Sequence, residues 1–396
     1  MITELSFADY GSQFRDFISR SQNPAAATEA QFDALALTLF QLQFQYNAAY
    51  RHLCAARGME PDNIATWREI PAAPTGAFKE IELTTLSPNE RTKVFLSSGS
   101  TEQRRSRHFH STESLTLYEA SLLPWFERHL LADLGHLVEE QLLGPLDKPA
   151  FLALTPPPDA APHSSLAHMF ETVRREFGAR DSQFTGRVNN DGAWTVEMDA
   201  TLFAIRKSMC ANRPLVLLGT AFNFVHLLDD FAANNRRYRL ARGSRVLETG
   251  GYKAQSRALP KTDLHELTTK YLGITPEYIV SEYGMSELSS QAYDRVAGRL
   301  QGPTAEVGSQ SEMMPSHFQF PPWCRVQIIS PETGGEVAEG ETGLIRIFDL
   351  ANVRSVMAIQ TEDLGIRRGN GFDLMGRARQ AEPRGCSLMS LNTMAK

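Results

Sequence analysis

The sequence predicts an α/β fold: a mainly parallel sheet covered by helices, followed by a small antiparallel β region and a short C-terminal segment. Three observations point there. Short apolar runs alternate with helix-length amphipathic stretches through the middle of the chain. Several of these runs end at glycine, in "LLGT", "ETGG" and "EYG". Beyond residue 315 the texture changes to apolar–polar alternation broken by the turn signals "TGG", "EGETG" and "GNG". A length of 396 residues suffices for a large core and two folding units.

Taken in order, residues 28–57 repeat apolar side chains at three and four and predict one long helix closed by Gly58. That defines residues 1–60 as an N-terminal helical segment. A proline-bearing connection, "IPAAPTGAFKE", leads to "FLSSGSTEQRR", Phe95 to Arg105. Residues 113–143 predict a second helix. Strands follow in "PAFLALTP", "PLVLLGTA", "SRVLETGG" and "EYIVSEYG", separated by helices over 164–178, 222–235 and 261–272. Residues 61–315 thus form an α/β core. In such sheets the active groups gather at the carboxyl ends of the strands, which singles out Gly219-Thr220, Gly250-Gly251 and Tyr283-Gly284. Residues 316–375 form the β region. Residues 376–396, with Pro383 and Gly385 and few apolar anchors, read as a mobile tail or the stub of a second unit.

Composition narrows the function classes. Hydrophobic content of 42%, charged content of 22% and a net charge of -6 describe a soluble globular protein with no general field for nucleic acid or an anionic membrane. No apolar run approaches the ~20 residues that span a bilayer. The first residues carry acids and no basic cluster, unlike a secretory signal. Cys54, Cys210, Cys324 and Cys386 form no CxxC pair, so neither a disulfide framework nor a zinc site is expected, and the cytoplasm is the expected compartment.

Three short stretches carry candidate chemistry. In the first, Ser97, Ser98, Ser100 and Thr101 surround Gly99, with Arg104 and Arg105 behind. Hydroxyls and backbone N–H groups in such a turn can cradle phosphate oxygens, although a polar turn reads the same. The second, "SEYGMSEL", ends a strand at Tyr283-Gly284 and follows with Ser286 and Glu287. Tyr283 offers a face for stacking and Glu287 an oxygen ligand for Mg²⁺. A strand end with Ser286 capping the next helix is the plainer reading. In the third, "IQTEDLG", Asp363 can bind a diol or close an Asx turn.

Together and in this order, the stretches resemble the motifs of the adenylate-forming enzymes, a superfamily of acyl- and aryl-CoA synthetases, luciferases and peptide-synthetase adenylation domains. Ser97–Arg105 is similar to its phosphate loop, with Arg105 at the lysine place and Glu102 where glycine is usual. Tyr283-Gly284-Met285-Ser286-Glu287 is similar to its aromatic-Gly-x-Thr-Glu motif. Thr361-Glu362-Asp363 is similar to Thr-Gly-Asp, with Glu362 replacing glycine, and Arg377 in "LMGRARQ" matches the hinge arginine. "LLGTAFNFVHLL", "VLETGGYK" and "GRARQAEPRGCSL" resemble one branch, the LuxE-like acyl-protein synthetases of fatty acid reductase complexes.

The resemblance implies ATP and Mg²⁺ as cofactors, a fatty or other carboxylic acid as substrate, and a reductase-type protein partner. It implies that Ser97, Ser98, Gly99, Ser100, Thr101 and Arg105 hold the β- and γ-phosphates. Ser286 then meets the α-phosphate, Glu287 holds Mg²⁺, and Tyr283, Gly250 and Gly251 border the adenine. Asp363 with Arg377 takes the ribose. Cys386 falls where the branch carries its acyl thioester, and by this resemblance the chain is expected to lack the full C-terminal domain of the superfamily with its catalytic lysine. Arg377, Arg379 and Arg384 lie near Cys386 in sequence, and cations lower thiol pKa values. Lys253 is assigned to the carboxylate or developing oxyanion. Phe222, Phe224 and Val225 are assigned to the acyl pocket, with core packing the alternative. Two other readings share the same motifs: a phenylacetate-CoA-ligase-like synthetase, and a degenerate nucleotide-binding subunit.

Overall fold

The computed structural model describes residues 6–21, 28–97, 104–135, 148–250, 259–299 and 317–377. Ser98, Gly99, Ser100, Thr101, Glu102, Gly251, Lys253, Cys386 and the segment 378–396 lie outside the described residues, as do residues 136–143 of the helix expected over 113–143.

The predicted parallel sheet is present. Strands β4 (Ala150–Ala153), β8 (Leu215–Thr220), β9 (Arg245–Thr249) and β10 (Ile279–Tyr283) run parallel in the order β10-β9-β8-β4. The short β5 (Gln183–Phe184) extends one edge in parallel, and β11 (Ala292–Tyr293) closes the other antiparallel to β10. Both faces are buried, which is why these strands read as unbroken apolar runs. Val216, Leu218, Leu247 and Val280 face one core cluster; Leu215, Leu217, Val246 and Ile279 face the other.

Helices fill the crossovers. α6 (Ser165–Phe177) starts at Ser164, whose side chain accepts from Ala167 N–H at 3.1 Å. α8 (Ala221–Ala233) follows β8 with no intervening loop, because Thr220 and Asn223 form a reciprocal capping box. α9 (Lys261–Leu272) ends at Gly273 in the left-handed conformation. α7 (Met198–Cys210), which has no counterpart in the sequence reading, covers the same face as α8 and α9 through Leu202 and Ile205.

Two predicted helices are shorter than expected. The stretch 28–57 is broken into α2 (Glu29–Tyr46) and α3 (Ala48–Ala55). Asn47 takes an extended conformation; its Oδ1 accepts from Tyr50 N–H at 3.1 Å and its amide reaches Ser355 O at 3.4 Å. A distant partner thus overrides a continuous local pattern. The helix expected from residue 113 is α5 (Thr112–Leu130). It stops because its last carbonyls are claimed elsewhere: His129 O accepts from Ala297 N–H at 2.8 Å, and Leu130 O accepts from the Arg245 guanidinium.

The predicted antiparallel region is β12 (Cys324–Ile329), β13 (Thr342–Asp349), β14 (Ala358–Arg368) and β15 (Gly371–Arg377), hydrogen-bonded in sequence. β14 and β15 meet at the expected "GNG" turn. β1 (Ala73–Pro74) adds to β14 in parallel. The N-terminal helices share a core with this region: Tyr10 in α1 (Phe7–Arg20) donates to Leu350 O at 2.9 Å, and Gln43 donates to Asn352 O at 2.7 Å. Outside the two sheets, α4 (Ala77–Glu80) is a single turn, β6 (Gly186–Val188) and β7 (Trp194–Val196) form one hairpin, and β2 (Lys93–Leu96) and β3 (Arg107–His110), which flank the hydroxyl-rich stretch, form another.

Candidate active site

Glycines end the central strands and let the chain turn over the sheet. Gly250, directly after β9, has φ +70, a conformation costly for any residue with a Cβ. Gly284, directly after β10, lies against the carboxylate of Glu282, and a Cβ built on it would collide with Glu282 Oε1. Between them Thr249 donates its hydroxyl to Glu282. Burial raises the Glu282 carboxyl to about 7; the Thr249 bond opposes the shift and the charge of Glu248 adds to it. Glu282 was not singled out by the sequence, although its place beside "YG" is a signal that could have found it.

Tyr283, Asp363 and Arg377 are brought together. The Tyr283 hydroxyl donates to Asp363 Oδ2 at 2.9 Å, and Arg377 Nε lies 3.5 Å from Asp363 Oδ1. Asp363 and Arg377 are direct cross-strand partners of β14 and β15. Asp363 therefore sits inside a strand rather than in an Asx turn, because its neighbour Thr361 is pinned by Ile345 O at 2.8 Å and accepts Asp363 N–H at 3.1 Å. Glu362 is exposed. The Tyr283 ring is 6% exposed and packs edge-on to Phe372, with centroids 5.2 Å apart. Burial first, and the Asp363 charge second, push its hydroxyl well above the usual tyrosine range.

Ser286 does not cap a helix. The chain after Gly284 makes a turn and a bend into β11, because Asp349 captures the amides that a helix would need: Ser289 and Ser290 N–H donate to its Oδ2 at 2.9 and 2.8 Å. Ser290 Oγ adds a bond to Oδ1 at 2.7 Å. Burial still raises the Asp349 carboxyl against these bonds. Asn352 donates to Glu287 O at 2.8 Å and accepts from Ser289 Oγ at 2.8 Å. Within this frame Ser286 Oγ donates to Glu287 Oε2 at 3.0 Å, so the two side chains share one position at the carboxyl end of β10. From the hairpin side, His108 bonds Ser286 O at 2.9 Å. Asp349, Asn352 and His108 lie in stretches without a motif, and only the folded chain connects them to the site.

Ser97 closes the neck of the β2–β3 hairpin: its N–H donates to Ser106 O at 3.1 Å and its Oγ accepts Ser106 N–H at 2.9 Å. Leu96 N–H reaches His163 O at 2.9 Å. Arg104 pairs with Glu80 at 2.8 Å on the surface, while Arg105 is exposed and has no ion pair with another described residue. Of the three pocket candidates, Phe224 and Val225 belong to the core cluster below the sheet, since α8 turns that face inward. Phe222 alone is half-buried, edge-on to His226 with centroids 5.1 Å apart. Among the described residues no three His, Cys, Asp or Glu side chains form a metal cluster. No described helix is long and apolar enough to cross a membrane.

Comparison with known proteins agrees with this architecture. A 2-hydroxyisobutyryl-CoA ligase, solved in an open conformation with 2-HIB-AMP and CoA, superposes with a TM-score of 0.56 at 11% identity, covering 88% of this chain and 75% of that one. The same ligase in its postadenylation state gives 0.57 at 11% identity, over 87% and 67%. These likenesses establish the adenylate-forming fold. In sequence, the long-chain-fatty-acid–luciferin-component ligase of Aliivibrio fischeri is 24% identical over 383 residues, 92% of this chain and 89% of the relative. That of Vibrio harveyi is 21% identical over 360 residues, 88% and 84%. The acyl-protein synthetase family LuxE matches residues 12–395, and over that span the chain belongs to this family.

Proposed function

We propose that the chain activates a long-chain fatty acid with ATP and passes the acyl group, by way of acyl-AMP, to Cys386 as a thioester. The observation that supports this most is the meeting of Tyr283, Asp363 and Arg377 at the carboxyl end of β10, where the Ser286–Glu287 pair also stands. The names of the two luciferin-component ligases supply the substrate class.

A carboxylate oxygen of the acid attacks the α-phosphorus of ATP, and the bond to the pyrophosphate oxygen breaks. The protein's part is positioning and charge neutralisation. Ser97, Ser98, Gly99, Ser100, Thr101 and Arg105 hold the departing phosphates, and the free exposure of Arg105 suits that task. Ser286 turns its hydroxyl from Glu287 to donate to the α-phosphate. Tyr283, Gly250 and Gly251 border the adenine, while Asp363, steadied by Tyr283 and Arg377, accepts from the ribose hydroxyls. Lys253 is assigned to stabilising the reacting carboxylate or the developing oxyanion. Glu287 would hold Mg²⁺ through one hard oxygen, with no metal-binding cluster around it among the described residues, which fits an ion that would keep phosphate and water ligands. When bound, that ion neutralises phosphate charge. Phe222 borders the acyl tail, while Phe224 and Val225 belong to the core.

In the second half, the Cys386 thiol gives up its proton to solvent and its sulfur attacks the acyl carbon. The bond from that carbon to the phosphate oxygen breaks and AMP leaves. The thioester is then available to a reductase-type partner in the cytoplasm. Residues 61–315 and 316–375 would supply the adenylation site, 1–60 would brace it, and 376–396 would deliver the thiol.

The test is incubation with ATP, Mg²⁺ and a panel of labelled acids, followed by intact-mass measurement and peptide mapping. A label on Cys386 that hydroxylamine releases is the expected result. Label elsewhere, or none, removes the protein-thioester step. A Cys386→Ala protein that transfers acyl groups to CoA at the wild-type rate favours the CoA-ligase reading instead.

A further inference from the structure

His108 is a polar residue where packing alone would favour an apolar one. It lies on β3 opposite Phe95, is 2% exposed, and stacks at a tilt on His110 with ring centroids 4.2 Å apart. Phe78 approaches edge-on at 6.5 Å. The only hydrogen bond this imidazole makes among the described residues is the one from Nδ1 to Ser286 O, at 2.9 Å. A carbonyl oxygen only accepts, so Nδ1 carries the proton. Burying an imidazole has a desolvation cost that one directed bond must offset.

The two ends of that bond belong to different parts of the nucleotide site. β3 pairs with β2, and the Ser97–Ser106 bonds close the neck of that hairpin two residues before His108. Ser286 adjoins Glu287, to which it is bonded through Oγ. The far side of the same turn is gripped independently, by Asn352 on Glu287 O. Without His108, no other described hydrogen bond holds Ser286 O to the hairpin.

We infer that His108 is a positioning residue that sets the β2–β3 hairpin in register with the Ser286–Glu287 turn, so that both serve one Mg·ATP site. This rests on the nucleotide-site reading above and assigns the residue that couples its two halves.

The test compares wild type with His108→Leu, His108→Asn and His108→Gln. Asparagine places its amide nitrogen on Cγ, as histidine places Nδ1, whereas glutamine sets it one carbon farther out. Fatty-acid-dependent ATP–pyrophosphate exchange is measured with hexadecanoate, and Mg·ATP binding without turnover by the rise in melting temperature. The leucine variant is expected to raise half-saturating Mg·ATP about ten-fold while leaving the KM for the acid within about two-fold. Asparagine should restore most of the Mg·ATP affinity and glutamine should not. A leucine variant with unchanged Mg·ATP saturation, an equal change in both constants, or equal rescue by asparagine and glutamine overturns the proposal. A wild type that binds Mg·ATP without exchange, but shows the same order of variants, supports the coupling while removing acid activation. A wild type that does not bind Mg·ATP overturns both.

Discussion

The Tyr283 hydroxyl and the Asp363 carboxylate, 80 residues apart in sequence, are joined by a 2.9 Å hydrogen bond that links the parallel sheet to the antiparallel region. The tyrosine ring is held independently by Phe372 and Phe318. Tyr283→Phe therefore removes the bond and leaves the packing. It should cost about 1 kcal/mol of stability. The half-saturating ATP concentration should rise several-fold, read by pyrophosphate exchange, because Asp363 is then steadied only by an arginine whose side chain is 79% exposed.

Glu287→Gln separates fold from chemistry. The turn is held through main-chain groups, by Asn352 on Glu287 O and Asp349 on Ser289 and Ser290. Among the described residues the side chain makes one hydrogen bond, from Ser286. The melting temperature should therefore stay near wild type. Mg²⁺-dependent adenylation should fall by about a hundred-fold or more, as expected for loss of a charge ligand. A parallel fall in melting temperature would make Glu287 a structural residue instead.

Gly284→Ala should destabilise the fold by about 1–3 kcal/mol, because the new methyl meets the Glu282 carboxylate. Shortening the partner makes room. The double variant Glu282→Ala/Gly284→Ala should thus be less destabilised than the sum of the singles, measured by denaturant unfolding. Strict additivity would mean that the glycine is required by its backbone alone.

Stability should vary with pH in two windows of opposite sign. Burial lowers His108 and His129 from 6.5 to about 4, so the unfolded chain binds more protons between these values. Their contribution is complete above 6.5 and is lost as the pH falls toward 4. Glu282 is raised from 4.5 to about 7, so here the native state binds more protons. Stability is lost as the pH rises through that interval and levels off above 7. Glu282→Gln cannot ionise, and its stability relative to wild type should rise across 4.5–7 in unfolding measurements at stepped pH.

The sheet was legible because parallel strands are apolar on both faces and end in glycine, both local signals. The antiparallel region was legible for the same reason, through its turns. What escaped was decided at a distance. Asn47 breaks a helix whose apolar spacing continues through it, by way of Ser355. Ser286 starts no helix because Asp349 takes the following amides. The site shows the same division. Tyr283, Glu287, Asp363 and Arg377 stand in short motifs, whereas Glu282, His108 and Asn352 acquire a role only once sheet, hairpin and β region meet.

The pairing of β1 with β14 bears on synthesis. Ala73 and Pro74 pair with Ile359 and Gln360, on the same strand that carries Asp363, and Tyr10 and Gln43 bond Leu350 and Asn352. Helices α1 and α2 thus leave the ribosome more than 300 residues ahead of the segment that covers part of their surface. Such long-range closure slows folding and exposes the nascent chain to aggregation, which gives chaperones a long interval in which to act.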